Sequence, residues 1–181
     1  MRWIPFAILI YLAVLLQIAL GALPIRLAVT GEIAPDITAI IAVFFALSLR
    51  DPRDAMMAAW SLGFAMDLML CGMAGVVTAV GPMAIAYTLA SAVIFRMREA
   101  FFRERALARS LLVLLFCLIA HCLWVSIQTV LVLSWSSWWP AIAKAIGNSI
   151  YTAILAPLVC IGLQQLGGWF ITAPARRLRR R

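Results

Sequence analysis

The sequence predicts an all-α polytopic membrane protein with six transmembrane helices, and three observations lead there. Of 181 residues, 66% are hydrophobic and 12% charged, with a mean hydropathy of +1.06; a soluble domain carries roughly 45–50% apolar and about 25% charged residues. The apolar residues fall into runs near the ~20 residues that a ~30 Å hydrocarbon layer demands, and a chain of this length holds five or six such runs. The basic residues lie between the runs, where a membrane protein sets its orientation. This composition excludes a soluble enzyme, a secreted disulfide scaffold and an ordinary nucleic-acid-binding domain.

The first run, residues 3–24, lies between Arg2 and Arg26 and exceeds the 7–15 residues of a signal-peptide core, so it is expected to remain as an anchor. A second span, 33–49, ends at the charged turn Arg50-Asp51-Pro52-Arg53-Asp54, which neither continues a helix nor enters lipid. The third, 55–70, carries Asp67 near its far end. The fourth, 73–95, contains Gly81-Pro82, expected to kink it. Arg96, Arg98, Arg103, Arg105 and Arg109 then alternate with Phe101-Phe102, which predicts a segment at the membrane surface in contact with lipid or a cytoplasmic partner. The fifth span, 110–133, is followed by a loop whose Trp135, Trp138 and Trp139 suit the headgroup belt. The sixth, 141–163, contains Pro157, a further expected kink. Residues 1–175 thus form one domain, and 176–181 are a basic tail.

Six spans place both termini on one side. With that side cytoplasmic, 13 of the 15 basic residues are inside and only Arg26 and Lys144 are outside, as the positive-inside rule requires. The tail is then expected to meet anionic lipid and not nucleic acid.

Polar residues inside spans are costly and are candidates for function. Asp36, Asp67, Gln17, Gln128 and Asn148 all fall towards the outer ends, which predicts a polar pocket or docking surface there. Asp36 follows Pro35 at a helix start, with Pro35 expected at the N-cap and Asp36 in the first turn. Ala55, Ala59, Gly63 and Asp67 recur every four residues, a small-residue stripe that invites a partner helix, so Asp67 is expected to matter more for association than Asp36. His121, the single histidine, lies between Cys117 and Cys122, which are five apart and share no helix face. An interhelical hydrogen bond or a tolerated core position is expected for it, with no metal and no cofactor. Cys71, Cys117, Cys122 and Cys160 show no CxxC spacing and are read as structural thiols. No catalytic motif is present, and a non-enzyme is expected.

Pro35-Asp36-Ile37, the basic proline turn at 50–53, and Gly63-Phe64-Ala65-Met66-Asp67-Leu68 followed by Gly72 and Gly75 resemble, in the same order, the rod shape-determining MreD family. The resemblance covers about residues 33–98. It implies a multi-pass protein of the bacterial inner membrane with the fold of the S-component of energy-coupling-factor transporters. It also implies a non-enzymatic role in the cell-elongation (Rod) complex, binding the MreC transmembrane helix and, through it, RodA, a class B penicillin-binding transpeptidase and MreB in support of peptidoglycan synthesis and rod shape. The alternative is a small-solute-binding S-component-like transport protein.

Overall fold

A computed structural model describes residues 3–21, 25–27, 31–71, 79–98, 106–132 and 138–170. They form α1 (Trp3–Gly21), β1 (Ile25–Leu27), β2 (Gly31–Ile33), α2 (Ile37–Ser48), α3 (Pro52–Cys71), α4 (Pro82–Met97), α5 (Ala106–Val132) and α6 (Trp138–Phe170). Among the described residues, three helices are long and apolar enough to cross a membrane: Pro52–Cys71, Ala108–Leu131 and Trp138–Gln165.

The centre is α2. Its sequence, ITAIIAVFFALS, is apolar all round, and the ten residues from Ile37 to Ala46 are all buried. A helix without a polar face has to be surrounded, and α2 contacts all five other helices. At about 1.5 Å per residue its 12 residues span about 18 Å, short of a full bilayer core. Around it, α3 packs antiparallel on α4, with Ala55 beside Ser91 and Gly63 beside Met83. Likewise α5 packs antiparallel on α6, with His121 beside Ser149. The core is sealed by edge-to-face rings, Phe6 on Phe45 and Tyr87 on Phe116, each with centroids 5.1 Å apart. Outward-facing Ile4, Tyr11, Trp60, Ile154 and Leu158 are at least half exposed, as a lipid-facing shell would be.

Several boundaries differ from the sequence reading. The fourth span does not run through Gly81-Pro82 as a kinked helix; α4 starts there. Gly81 has φ +116°, outside helical space, and Pro82 occupies the first turn, where its missing N–H costs nothing. Residues 72–78 lie outside the described segments. The first turn of α3 takes up Pro52, Arg53 and Asp54, while α6 runs from Trp138 to Phe170, past the expected 141–163, with Pro157 inside it. An antiparallel ribbon pairs Ile25 with Ile33 and Leu27 with Gly31, which an all-α reading does not contain.

Candidate functional site

The site begins with the local chemistry of a helix start. Asp36, not Pro35, is the N-cap of α2: its backbone is extended and its Oδ1 accepts the Ala39 N–H at 3.0 Å. The same oxygen accepts the Thr38 hydroxyl at 2.6 Å. Oδ2 accepts the Tyr87 hydroxyl of α4 at 2.5 Å and faces Nε2 of His121 in α5 at 3.2 Å. Four hydrogen-bond partners converge on the two oxygens. Asp36 is 4% exposed and His121 8%.

His121 extends the cluster to α6. Nδ1 lies 3.3 Å from the Ser149 hydroxyl, which itself sits 2.7 Å from the Ala145 carbonyl. Ser149, His121 and Asp36 share the connectivity of a hydrolase triad. Their surroundings differ from one, because Ser149 is fully buried and within reach of its own helix carbonyl, and Asp36 already holds four donors.

The segment leading into α2 is gripped from both flanks. Gln17 of α1 donates Nε2–H to the Pro35 carbonyl at 2.8 Å and accepts the Ile37 N–H at 2.9 Å. From α6, Asn148 accepts the Ala34 N–H at 3.2 Å, and the Thr152 hydroxyl accepts the Asp36 N–H at 2.8 Å. Thus α1, α2, α4, α5 and α6 meet in one buried polar layer.

A second layer repeats this logic for α4. The Asp67 carboxylate, carried by α3, accepts the N–H groups of Gly81 (3.0 Å), Met83 (3.0 Å) and Ala84 (3.1 Å), so it caps a helix other than its own. Pro82 contributes no N–H, and the three neighbouring amides share one carboxylate at the positive end of the helix. Gly63, one turn earlier, allows the approach: a Cβ there would lie 2.6 Å from the Met83 carbonyl oxygen and 2.8 Å from the Ala84 Cα. Gln128 of α5 holds Ala79 by accepting its N–H at 3.2 Å and donating to its carbonyl at 3.0 Å.

The expected outer-end residues are therefore brought together in two layers, Gln17, Asp36 and Asn148 in one, Gly63, Asp67 and Gln128 in the other. The small-residue stripe requires a correction. Ala55, Ala59, Gly63 and Asp67 are buried, with Gly63 and Asp67 against α4 of the same chain, so the close approach it permits is already used and no partner helix can take it. Of the two roles expected for His121, interhelical hydrogen bonding or a tolerated core position, the structure has the first. Thr38, Tyr87, Ser149 and Thr152 are the members that sequence reasoning missed. Thr38, two residues from Asp36, and the run Asn148-Ser149 with Thr152 were the available signals.

At the basic end, Arg98 donates to the Leu49 carbonyl at 2.6 Å and lies over the Phe95 ring at 3.6 Å. Arg96 is exposed, and Arg109 reaches Gln164. Arg103, Arg105, Phe101, Phe102, Trp135 and the tail 176–181 lie outside the described residues. No metal-binding group of three or more His, Cys, Asp or Glu occurs among the described residues. No family model, no curated protein and no solved structure matches the chain.

Proposed function

We propose that this chain is a non-enzymatic scaffold of the bacterial inner membrane that belongs to the cell-elongation (Rod) machinery and binds the MreC transmembrane helix. In this reading its helices form an S-component-like six-span bundle with both termini cytoplasmic. RodA, the transpeptidase and MreB are reached through MreC. The supporting observation is that the polar residues of the outer half are committed to one another, which makes a rigid bundle whose outward surface is apolar. Such a surface recognises another helix by packing. The outer face of α6, with Ile146, Ile150, Ile154, Leu158 and Ile161 all 41–70% exposed, is the surface proposed for it. The segments resembling the MreD family, Pro35-Asp36 and the Gly63–Asp67 run, are also the ones that cap α2 and α4.

Co-purification tests the reading. A tagged chain isolated in mild detergent is expected to retain MreC, and a photocrosslinker at Ile154 to capture it while one at Ala59 does not. A chain that purifies without MreC would overturn the assignment, and capture at Ala59 alone would overturn the proposed face.

A further inference from the structure

From Trp138 to Phe170, α6 contains no Asp, Glu or Arg, and its charged side chain is Lys144. Lys144 is exposed and, among the described residues, makes no hydrogen bond or ion pair. It lies one turn before Asn148, at the end of the bundle opposite the basic turn: Asn148 and Thr152 hold the start of α2, while Cys160 and Gln164 lie beside Ser48. Exposed Ile146, Ile150, Ile154, Leu158 and Ile161 follow it in one stripe, and Gln165, also exposed, closes the stripe. From Lys144 to Gln165 the helix rises about 32 Å at ~1.5 Å per residue, close to the ~30 Å of a hydrocarbon layer. Lys144 therefore stands at one boundary of the apolar band.

At about 3.6 residues per turn, Lys144 falls on the flank of the stripe and not along its centre. Flanking charges are the ones that choose partner and direction when two helices pack. Among the described residues the chain offers no anion to Lys144. Glu32 stands opposite Arg26 in the ribbon register, the Asp36 and Asp67 carboxylates are buried and hydrogen-bonded, and Asp51 and Asp54 lie at the other end. A second copy is a poor source of one. Two copies in the same membrane orientation that met through α6 would bring Lys144 towards Lys144 at one depth, with no carboxylate on either α6 to answer it.

We infer that the helix docked on α6 carries a carboxylate at the membrane boundary opposite the basic turn, and that Lys144 pairs with it. This rests on the reading that MreC packs on the Ile150–Ile154 face, and it names what the MreC helix must present there. The Cα–Cβ bond of a helical residue tilts towards the helix N-terminus, which carries the Lys144 ammonium out of the hydrocarbon and towards the membrane surface. A partner seated on the stripe covers one side of that ammonium and displaces water from it. An acid at the matching depth then gains a close charge pair, whereas a basic residue there is repelled. An aliphatic stripe alone tolerates sliding and either helix direction; a charge pair at one end fixes both.

Co-purification of full-length MreC with the tagged full chain in mild detergent tests this. Lys144→Glu is expected to lower the MreC retained about tenfold or more, and Lys144→Arg to change it by less than about twofold. The Tm of the chain alone is expected to stay at the wild-type value in both, because Lys144 is exposed and unpaired in its own bundle. Lys substituted in turn for each acidic residue at that end of the MreC helix is expected, at one position, to restore retention by Lys144→Glu and to weaken retention by the wild type. If the wild type retains MreC and Lys144→Glu retains it equally, the charge pair is overturned and the docking reading stands; if the wild type retains none, both fall. A loss in Lys144→Glu that no reversal on MreC restores would overturn the partner carboxylate in favour of a lipid headgroup as the anion. A lower Tm for Lys144→Glu alone would overturn it in favour of a role inside the bundle.

Discussion

Asp36 concentrates four donors from three helices on one carboxylate, and the cost of changing it should exceed that of changing any single donor. Asp36→Asn replaces one acceptor oxygen with an NH2 that faces donors. Each buried donor left without its acceptor costs about 1–3 kcal/mol. Tyr87→Phe removes a single hydroxyl, and Asp36 retains three donors; the expected loss is about 1 kcal/mol. Thermal unfolding in detergent should therefore rank Asp36→Asn well below Tyr87→Phe, with Tyr87→Phe close to wild type. Equal Tm values for the two variants would show that the carboxylate is not the hub.

Among the elements, α3 and α4 approach closely at Gly63, and the two parts of their joint can be tested apart. Gly63→Ala drives a Cβ to within 2.6 Å of the Met83 carbonyl oxygen, a backbone atom that cannot rotate away. Overpacking of this kind costs about 1–3 kcal/mol. Gly162→Ala on α6 meets nothing within 4 Å and should gain up to about 1 kcal/mol from helix propensity alone. Asp67→Leu leaves the amides of Gly81, Met83 and Ala84 without their acceptor, a loss of about 1–2 kcal/mol for a missing cap. Faster hydrogen exchange at Met83 and Ala84 should accompany it, and unchanged exchange there would remove Asp67 from the cap. Much of this joint was legible in sequence: the four-residue spacing from Ala55 to Asp67 announced a close helix approach ending in a carboxylate. What the approach was to could not be read, because the amides that Asp67 caps lie 14 to 17 residues further on and carry no side-chain signature. Gly81-Pro82 fits a kink and a helix start equally well until a carboxylate is found waiting for the amides. The Asp36–His121 contact spans 85 positions, a separation over which helical periodicity says nothing. The hydrophobic runs, by contrast, located all six helices, since burial of an apolar stretch leaves its mark residue by residue.

For the molecule as a whole, the four cysteines turn the proposed orientation into a labelling experiment. Cys117 and Cys160 are buried, Cys122 is partly buried near the middle of α5, and Cys71 is exposed at the far end of α3. Because α3 starts at the basic turn and runs for 20 residues, Cys71 lies about 30 Å from that turn along the helix. If the basic end is cytoplasmic, as 13 of 15 basic residues would make it, Cys71 faces the opposite side. A membrane-impermeant maleimide reacts with a thiolate in water and reaches neither buried nor lipid-facing sulfur. Cells whose outer envelope is opened but whose inner membrane is intact should therefore take up one label per chain, and Cys71→Ser should abolish it. A cysteine placed by Arg53→Cys should label only after the inner membrane is permeabilised. The reverse pattern at the two positions would invert the orientation. Labelling at neither position before permeabilisation would mean that α3 does not cross the membrane from the basic turn to Cys71.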